Sequence, residues 1–370
     1  MSENEPKYKQ LKQEIMSWIA SAQFGPHDRL PSENEVAVRF SMSRQTVRQA
    51  FGELEQEGYL YRLQGKGTFV SNGQAPERSS SSHGITVGLI TTYISDYIFP
   101  TIVRGVESAL RASGTRLLLA STDNEKEKER ESLASMLIQP LDGLLIEPTK
   151  SAEGNPNYKF FLALEAKGIP YVMMNERYSD VDAPCLKLDD EAGGYGAADH
   201  LIQLGHRKIV GLFKTDDYQG VHRMRGFRRA HREHQLVLDP ECLICYTTEE
   251  KEHKPQQLFA ALLDQEDTVR PTAVVCYNDE LAVKLLDIIR SRQLEIPAHI
   301  SIVGFDDSNL AVATEVKLTT MTHPKSDMGE RAVKMLLEMI EARAEGRRPS
   351  VSDVIYEPEL VLRESTRRPL

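Results

Sequence analysis

Arg44, Gln45 and Arg48 stand at positions i, i+1 and i+4 of a segment whose apolar residues, Val47, Ala50, Phe51 and Leu54, fall on the opposite side of a helix. Arg and Gln are side chains that pair bidentately with guanine and adenine in the DNA major groove. Thr46 lies at the helix start, where hydroxyls and free backbone amides suit phosphate oxygens. On residue type alone this face could also be a solvated surface. A second group has different chemistry. Arg223 opens a helix, while Asn278 follows the apolar run 272–277 and Asp306 ends the run 300–306. Ligands of open α/β sheets bind outside the carboxyl ends of the strands. The group is polar, with no obvious nucleophile or metal set. No phosphate-binding P-loop, Gly-x-Ser-x-Gly, His-Glu-x-x-His or dinucleotide fingerprint accompanies it, so an enzyme is not expected.

The elements around the first group decide its reading. Tyr8, Leu11, Ile15, Trp18, Ile19 and Ala22 recur at helical spacing over 7–22. Ser32 and Glu35 form a capping box ahead of a second helix that buries Val36, Ala37 and Phe40. Ser43 caps a third helix, ended by Gly58. Tyr59–Leu63 and Thr68–Val70 predict a hairpin around Gln64-Gly65-Lys66-Gly67. Three helices and a hairpin make a winged helix-turn-helix, whose third helix enters the major groove.

Residues 71–84 include four consecutive serines and predict a flexible linker between a DNA-binding domain, 1–70, and an effector and dimerisation domain, 85–370. The second domain alternates helical stretches with apolar runs at 85–90, 116–122, 143–148, 170–175, 208–213, 243–248, 272–277 and 300–306. That alternation predicts parallel sheets covered on both faces, divided into two α/β subdomains. The fold class is therefore multidomain: an α+β winged helix-turn-helix plus an α/β domain.

The net charge of −10 argues against a wholly basic coat, and residues 1–70 carry 9 Lys/Arg against 9 Asp/Glu. DNA affinity must then come from local placement and dimerisation. No apolar run approaches the roughly 18 residues needed to cross a bilayer, and the first residues have no signal-peptide pattern; a cytoplasmic protein is expected. Cys242 and Cys245 form a CxxC in a strand-like segment with no second pair, so no metal site is expected. His231 and His234 read as a solvated helix face and His206 as a turn residue.

The segments Arg29-Leu-Pro-Ser-Glu33, Ser43-Arg-Gln-Thr-Val-Arg-Gln-Ala50, Leu54-Glu-Gln-Glu-Gly58 and Gly65-Lys-Gly-Thr68 resemble the GntR-type winged helix. The resemblance implies operator contacts for Ser32, Glu33, Arg44, Gln45, Thr46, Arg48, Gly65 and Lys66. Asp189-Asp-Glu-Ala-Gly-Gly194, Arg223-Met-Arg-Gly-Phe227, Cys276-Tyr-Asn-Asp-Glu-Leu-Ala282 and Ile302-Val-Gly-Phe-Asp-Asp307 resemble the LacI/GalR-type effector domain, akin to periplasmic binding proteins. It implies two Rossmann-like subdomains joined by three crossovers, with a small ligand between them. The implied cleft residues are Phe99, Thr149, Asn175, Arg223, Asn278 and Asp306; Tyr97, Glu147, Glu176 and His323 join them on nearness. Phe99 could instead be core, Asn278 a helix cap and Asp306 a turn cap. Arg223 and Asp306 are expected to meet only across a closed cleft. A GntR-type head on a LacI-type body resembles the AraR-type arabinose repressors. The resemblance implies a homodimer on double-stranded operator DNA, released by a sugar effector, L-arabinose or a related one, with no cofactor and no membrane; another sugar or a purine is the alternative effector.

Overall fold

The computed structural model describes residues 7–20, 23–56, 58–63, 67–71 and 84–369. The chain divides into two compact units, Met1–His83 and Gly84–Leu370. Apart from Ser71 and Gly84, the expected linker lies outside the described residues.

In the first unit α1 (Lys7–Ala20), α2 (Glu33–Arg39) and α3 (Arg44–Gln56) precede the antiparallel strands β1 (Leu60–Leu63) and β2 (Gly67–Val70). Leu11, Ile15 and Trp18 of α1 pack with Val36 of α2, Val47, Phe51 and Leu54 of α3, and Leu60 and Val70 of the hairpin. Burying a side chain of this size stabilises by about 1.5–3 kcal/mol. Arg39 lies over the Trp18 ring, 5.0 Å from its centroid. The segment before α2 closes on the hairpin: Leu30 N–H donates to Thr68 O at 2.8 Å and Val70 N–H to Asp28 O at 3.0 Å. Gly67 holds φ +119°, a backbone conformation that favours glycine.

The second unit contains two six-stranded sheets. β3 (Thr86–Thr91), β4 (Arg116–Ser121), β5 (Gly143–Ile146), β6 (Tyr171–Asn175) and β7 (Cys185–Leu188) belong to one. β8 (Ile209–Lys214), β9 (Leu243–Tyr246), β10 (Ala273–Cys276), β11 (Ser301–Asp306) and β12 (Thr319–Thr322) belong to the other. β13 (Val354–Tyr356) returns to the first, giving the order β13-β7-β6-β5-β3-β4, and β14 (Leu360–Val361) to the second, giving β14-β12-β11-β10-β8-β9. All pairings are parallel except β12 with β14. The chain thus passes between sheets three times: after β7, after β12, and between β13 and β14. Each of the eight apolar runs matches one strand, with β3 and β8 extending one residue past theirs; β7, β12, β13 and β14 add to them. Central strands such as β3 and β11 are buried at every residue, as sheets covered on both faces require.

The helices Asp190–Gln203 and Tyr218–Glu233 pack at unusually close range. A Cβ at Gly194 would stand 2.0 Å from Arg223 O, and one at Gly226 would stand 2.0 Å from Glu191 O. The second of these helices corrects the reading of His231. Arg223, Phe227, Ala230 and His231, spaced i, i+4, i+7 and i+8, form its buried face. His231 Nδ1–H donates to Phe227 O at 2.9 Å, so it is a core residue and not a solvated one. His206 is likewise buried, bonded to Thr272 Oγ1 and Arg367 O. Cys242 lies in a short turn ahead of β9 and not in the strand, and all four cysteines are free. Among the described residues no helix is long and apolar enough to cross a membrane.

Candidate DNA-contacting face and ligand cavity

In the first unit, α2 begins with a reciprocal cap. Ser32 Oγ accepts from Glu35 N–H, and Glu35 Oε2 accepts from Ser32 N–H at 2.7 Å. The Ser32 cap holds the Glu35 carboxyl below its usual range. α3 begins with Ser43 Oγ accepting from Thr46 N–H at 3.1 Å. These caps satisfy free backbone amides and fix where each helix begins. Arg44, Gln45 and Arg48 are exposed on α3, Thr46 is half-buried and Ser32 is exposed. Glu33 stands apart from the others. Its two oxygens hold Arg48 Nε at 3.3 Å and Arg62 Nη2 at 3.0 Å. A carboxylate so placed orients cations and offers little to an anionic backbone. Gly65 and Lys66 lie outside the described residues.

In the second unit a cavity of about 530 Å³ opens at the carboxyl ends of both sheets. Thr92 follows β3, Glu147 follows β5, Asn175 ends β6, Lys214 ends β8, Tyr246 ends β9, Tyr277 follows β10 and Asp306 ends β11, and all line it. Of the ten residues singled out from sequence, Tyr97, Phe99, Glu147, Asn175, Glu176, Arg223, Asn278 and Asp306 line the cavity; Thr149 and His323 do not. Thr149 is fully buried behind it, bonded to Glu129, Thr122 and Tyr178. His323 acts through a neighbour: its Nε2–H donates to Asn175 Oδ1 at 3.1 Å. Burial pushes the His323 imidazole down to about 4, so it is neutral there.

Arg223 is the organising cation. Its Nε donates to Asp190 Oδ1 at 2.7 Å, its Nη1 to Tyr277 O at 2.7 Å and its Nη2 toward Asp306 Oδ1 at 3.4 Å. Its guanidinium lies 3.6 Å from the Phe305 ring centroid, and the side chain is 2% exposed. This corrects one expectation. Arg223 and Asp306 do not wait for cleft closure to meet; both belong to the β8–β12 half and are already paired. Asp306 holds φ +90°, an uncommon conformation for a non-glycine residue. Burial pushes the Asp190 carboxyl up to about 7, against the pull of Arg223.

Glu147 is a saturated acceptor. Its Oε2 accepts from Thr91 Oγ1, Thr92 N–H and Thr92 Oγ1, and its Oε1 from Asn175 Nδ2 at 2.7 Å. Glu176 differs: Lys187 and the Arg177 amide occupy Oε1, while the buried Oε2 has no hydrogen-bond partner among the described residues. Asn278 caps the helix Asp279–Ser291 through its Oδ1, which leaves its amide nitrogen to offer. Phe99 is half-buried, both packed on the core and edge-on to Tyr93 at 5.4 Å. Tyr97 is spent differently from the expectation. From the loop after β3 its hydroxyl donates to Phe305 O at 2.9 Å and accepts from Asp279 N–H at 3.1 Å, clasping the two halves.

Sequence reading passed over Tyr93, Lys214, Asp217 and Tyr277. Asp217 caps the helix Tyr218–Glu233 and holds Lys214 Nζ at 2.9 Å and Tyr277 OH at 3.0 Å. The strand-end rule applied to the run 208–213 would have flagged Lys214.

The two halves of the chain match different families. Residues 7–70 match the bacterial regulatory proteins of the gntR family, and residues 198–366 match a periplasmic binding protein-like domain. Over 98% of both chains the sequence is 56% identical to the arabinose metabolism transcriptional repressor of Geobacillus stearothermophilus. It is 47% identical to that of Halalkalibacterium halodurans, over 98% of this chain and 97% of the relative. The chain belongs to the arabinose metabolism transcriptional repressors. Within this family it is a DNA-binding regulator and not an enzyme. Among solved structures, a LacI family regulator of Enterococcus faecium with bound ribose matches at 26% identity and a TM-score of 0.65, over 76% of this chain and 99% of that one.

Proposed function

We propose that this repressor binds a pseudo-palindromic operator as a homodimer through Arg44, Gln45, Thr46 and Arg48, with Ser32, Gly65 and Lys66 on the backbone and Glu33 orienting the arginines. L-Arabinose in the cavity releases it. The observation that carries the ligand half is the convergence of Glu176, Arg223, Asn278 and Asp306 on one polar cavity with aromatic walls. Vicinal hydroxyls need paired donors and acceptors, and an aromatic ring covers the C–H face of a sugar. The 56% identical relative supports arabinose as the sugar. A different pentose is the second reading, favoured by the ribose held in the 26% identical structure.

Release then follows from linkage. Sugar weakens operator binding by the factor by which operator weakens sugar binding, typically about 1–3 kcal/mol. Fluorescence anisotropy of labelled operator, with a panel of pentoses and purines, tests both halves. L-Arabinose should raise the apparent Kd for operator at least fivefold and the others less. An unchanged operator Kd with saturating arabinose would overturn the reading.

A further inference from the structure

The helix that sends Arg223 into the cavity carries four more arginines on its other side. Arg225, Arg228, Arg229 and Arg232 fall at i, i+3, i+4 and i+7, so they form one stripe over two turns. Between them and Glu191, Leu236 and Leu238 lies a second cavity, of about 490 Å³. In a chain of net charge −10 such a stripe needs a reason. Internal pairing accounts for half of it: Arg229 holds Glu191 at 2.9 Å and Glu233 at 3.8 Å, and Arg225 holds Glu191 at 3.5 Å. Among the described residues the side chains of Arg228 and Arg232 have no ion pair and no hydrogen bond. Favourable placement near a helix C-terminus explains a cation in the last turn, where Arg232 lies, but not Arg225 or Arg228.

A second observation points to a ligand. His231 lines the same cavity, is 2% exposed, and its Nε2 is buried with no hydrogen-bond partner among the described residues. Its Nδ1–H is committed to Phe227 O, so Nε2 is the atom left to meet an incoming group. A buried polar atom without a partner carries a cost that a bound group removes.

We propose that this second cavity binds a small phosphate monoester. Guanidinium forks match phosphate oxygens bidentately, and two unpaired forks balance the roughly −1.5 to −2 charges of a phosphate monoester. In its monoanionic form the monoester keeps one P–OH that can donate to His231 Nε2, while Leu236 and Leu238 offer apolar surface to the organic part. Neither group belongs to the sugar cavity.

The test is calorimetry on the full chain in phosphate-free buffer, with inorganic phosphate, glucose 6-phosphate and glucose as probes. Inorganic phosphate and glucose 6-phosphate should bind saturably, and glucose should give no binding at this site. Arg228→Ala with Arg232→Ala should weaken both phosphate probes at least tenfold; both residues are exposed, so the fold is kept. L-Arabinose binding should be unchanged in that variant. Saturable phosphate binding that survives in it, or that is lost instead in Lys214→Ala, would overturn the proposal, as would no phosphate binding by the wild type.

Discussion

Arg48 and Arg223 are the same residue used in opposite ways. The Arg48 side chain is 71% exposed and leans on a single carboxylate, Glu33, at 3.3 Å. Arg223 is 2% exposed and held by Asp190, Tyr277 and Asp306. An exposed pair is worth about 0–1 kcal/mol, so Arg48 can leave Glu33 for a base at little cost. A buried, triply bonded guanidinium cannot leave without stranding its partners. The DNA-contacting face therefore depends on cations that are available, and the ligand cavity on a cation that is fixed.

The strongest way to break this contrast is Arg223→Ala. The substitution leaves Asp190 and Asp306 uncompensated, so a fragment beginning near Ile85 should lose roughly 3–5 kcal/mol of unfolding free energy in denaturant titration, along with sugar binding. Wild-type stability in that variant would show that the arginine serves the ligand alone.

Asp279 tests the buried side by pH. Burial raises its carboxyl from the usual 3.8 to about 7, against hydrogen bonds from Thr320 and Ser308. The folded state therefore holds a proton that the unfolded state releases. Its contribution is fully present below pH 4 and is lost as pH rises toward 7. Over that window stability should fall by up to about 1.4 kcal/mol per pH unit from this group, and Asp279→Asn should flatten the slope.

On the exposed side, Arg48→Ala and Arg44→Ala should each cost about 1–3 kcal/mol of operator affinity by anisotropy if they read bases. Melting of either variant should move little, because surface changes stay within about 0.5 kcal/mol. The smallest effect is expected for Tyr97→Phe. It removes the hydroxyl that joins Phe305 O to Asp279 N–H and should cost on the order of 1 kcal/mol in denaturation, with operator affinity intact.

The winged helix was legible from local rules. Caps at Ser32 and Ser43 and the apolar spacing of α3 are properties of a few neighbouring residues. The eight apolar runs marked strands for the same reason, including the edge strands β4 and β9. β13 and β14 hold three and two residues, too few for a pattern to declare itself, while Lys187 in β7 and the threonines of β12 interrupt any apolar run. The ligand cavity was legible as a set of strand ends but not as a network. The contact of Arg223 with Asp306 spans 83 residues of chain, and nothing local in either segment announces it. His231 went astray because charged neighbours hid a buried face defined by Arg223 and Phe227.

Neither Gly194 nor Gly226 lines the cavity, yet both lie where the backbones of two helices meet. One helix carries Asp190 and the other Arg223, so a methyl group at either glycine would prise apart the pair that anchors the cavity. A genetic screen for chains deaf to their inducer would collect changes at these glycines beside changes in the cavity itself. Read as a map of ligand contacts, such a screen would mislead. Read as a map of what keeps two helices in register, it would be accurate.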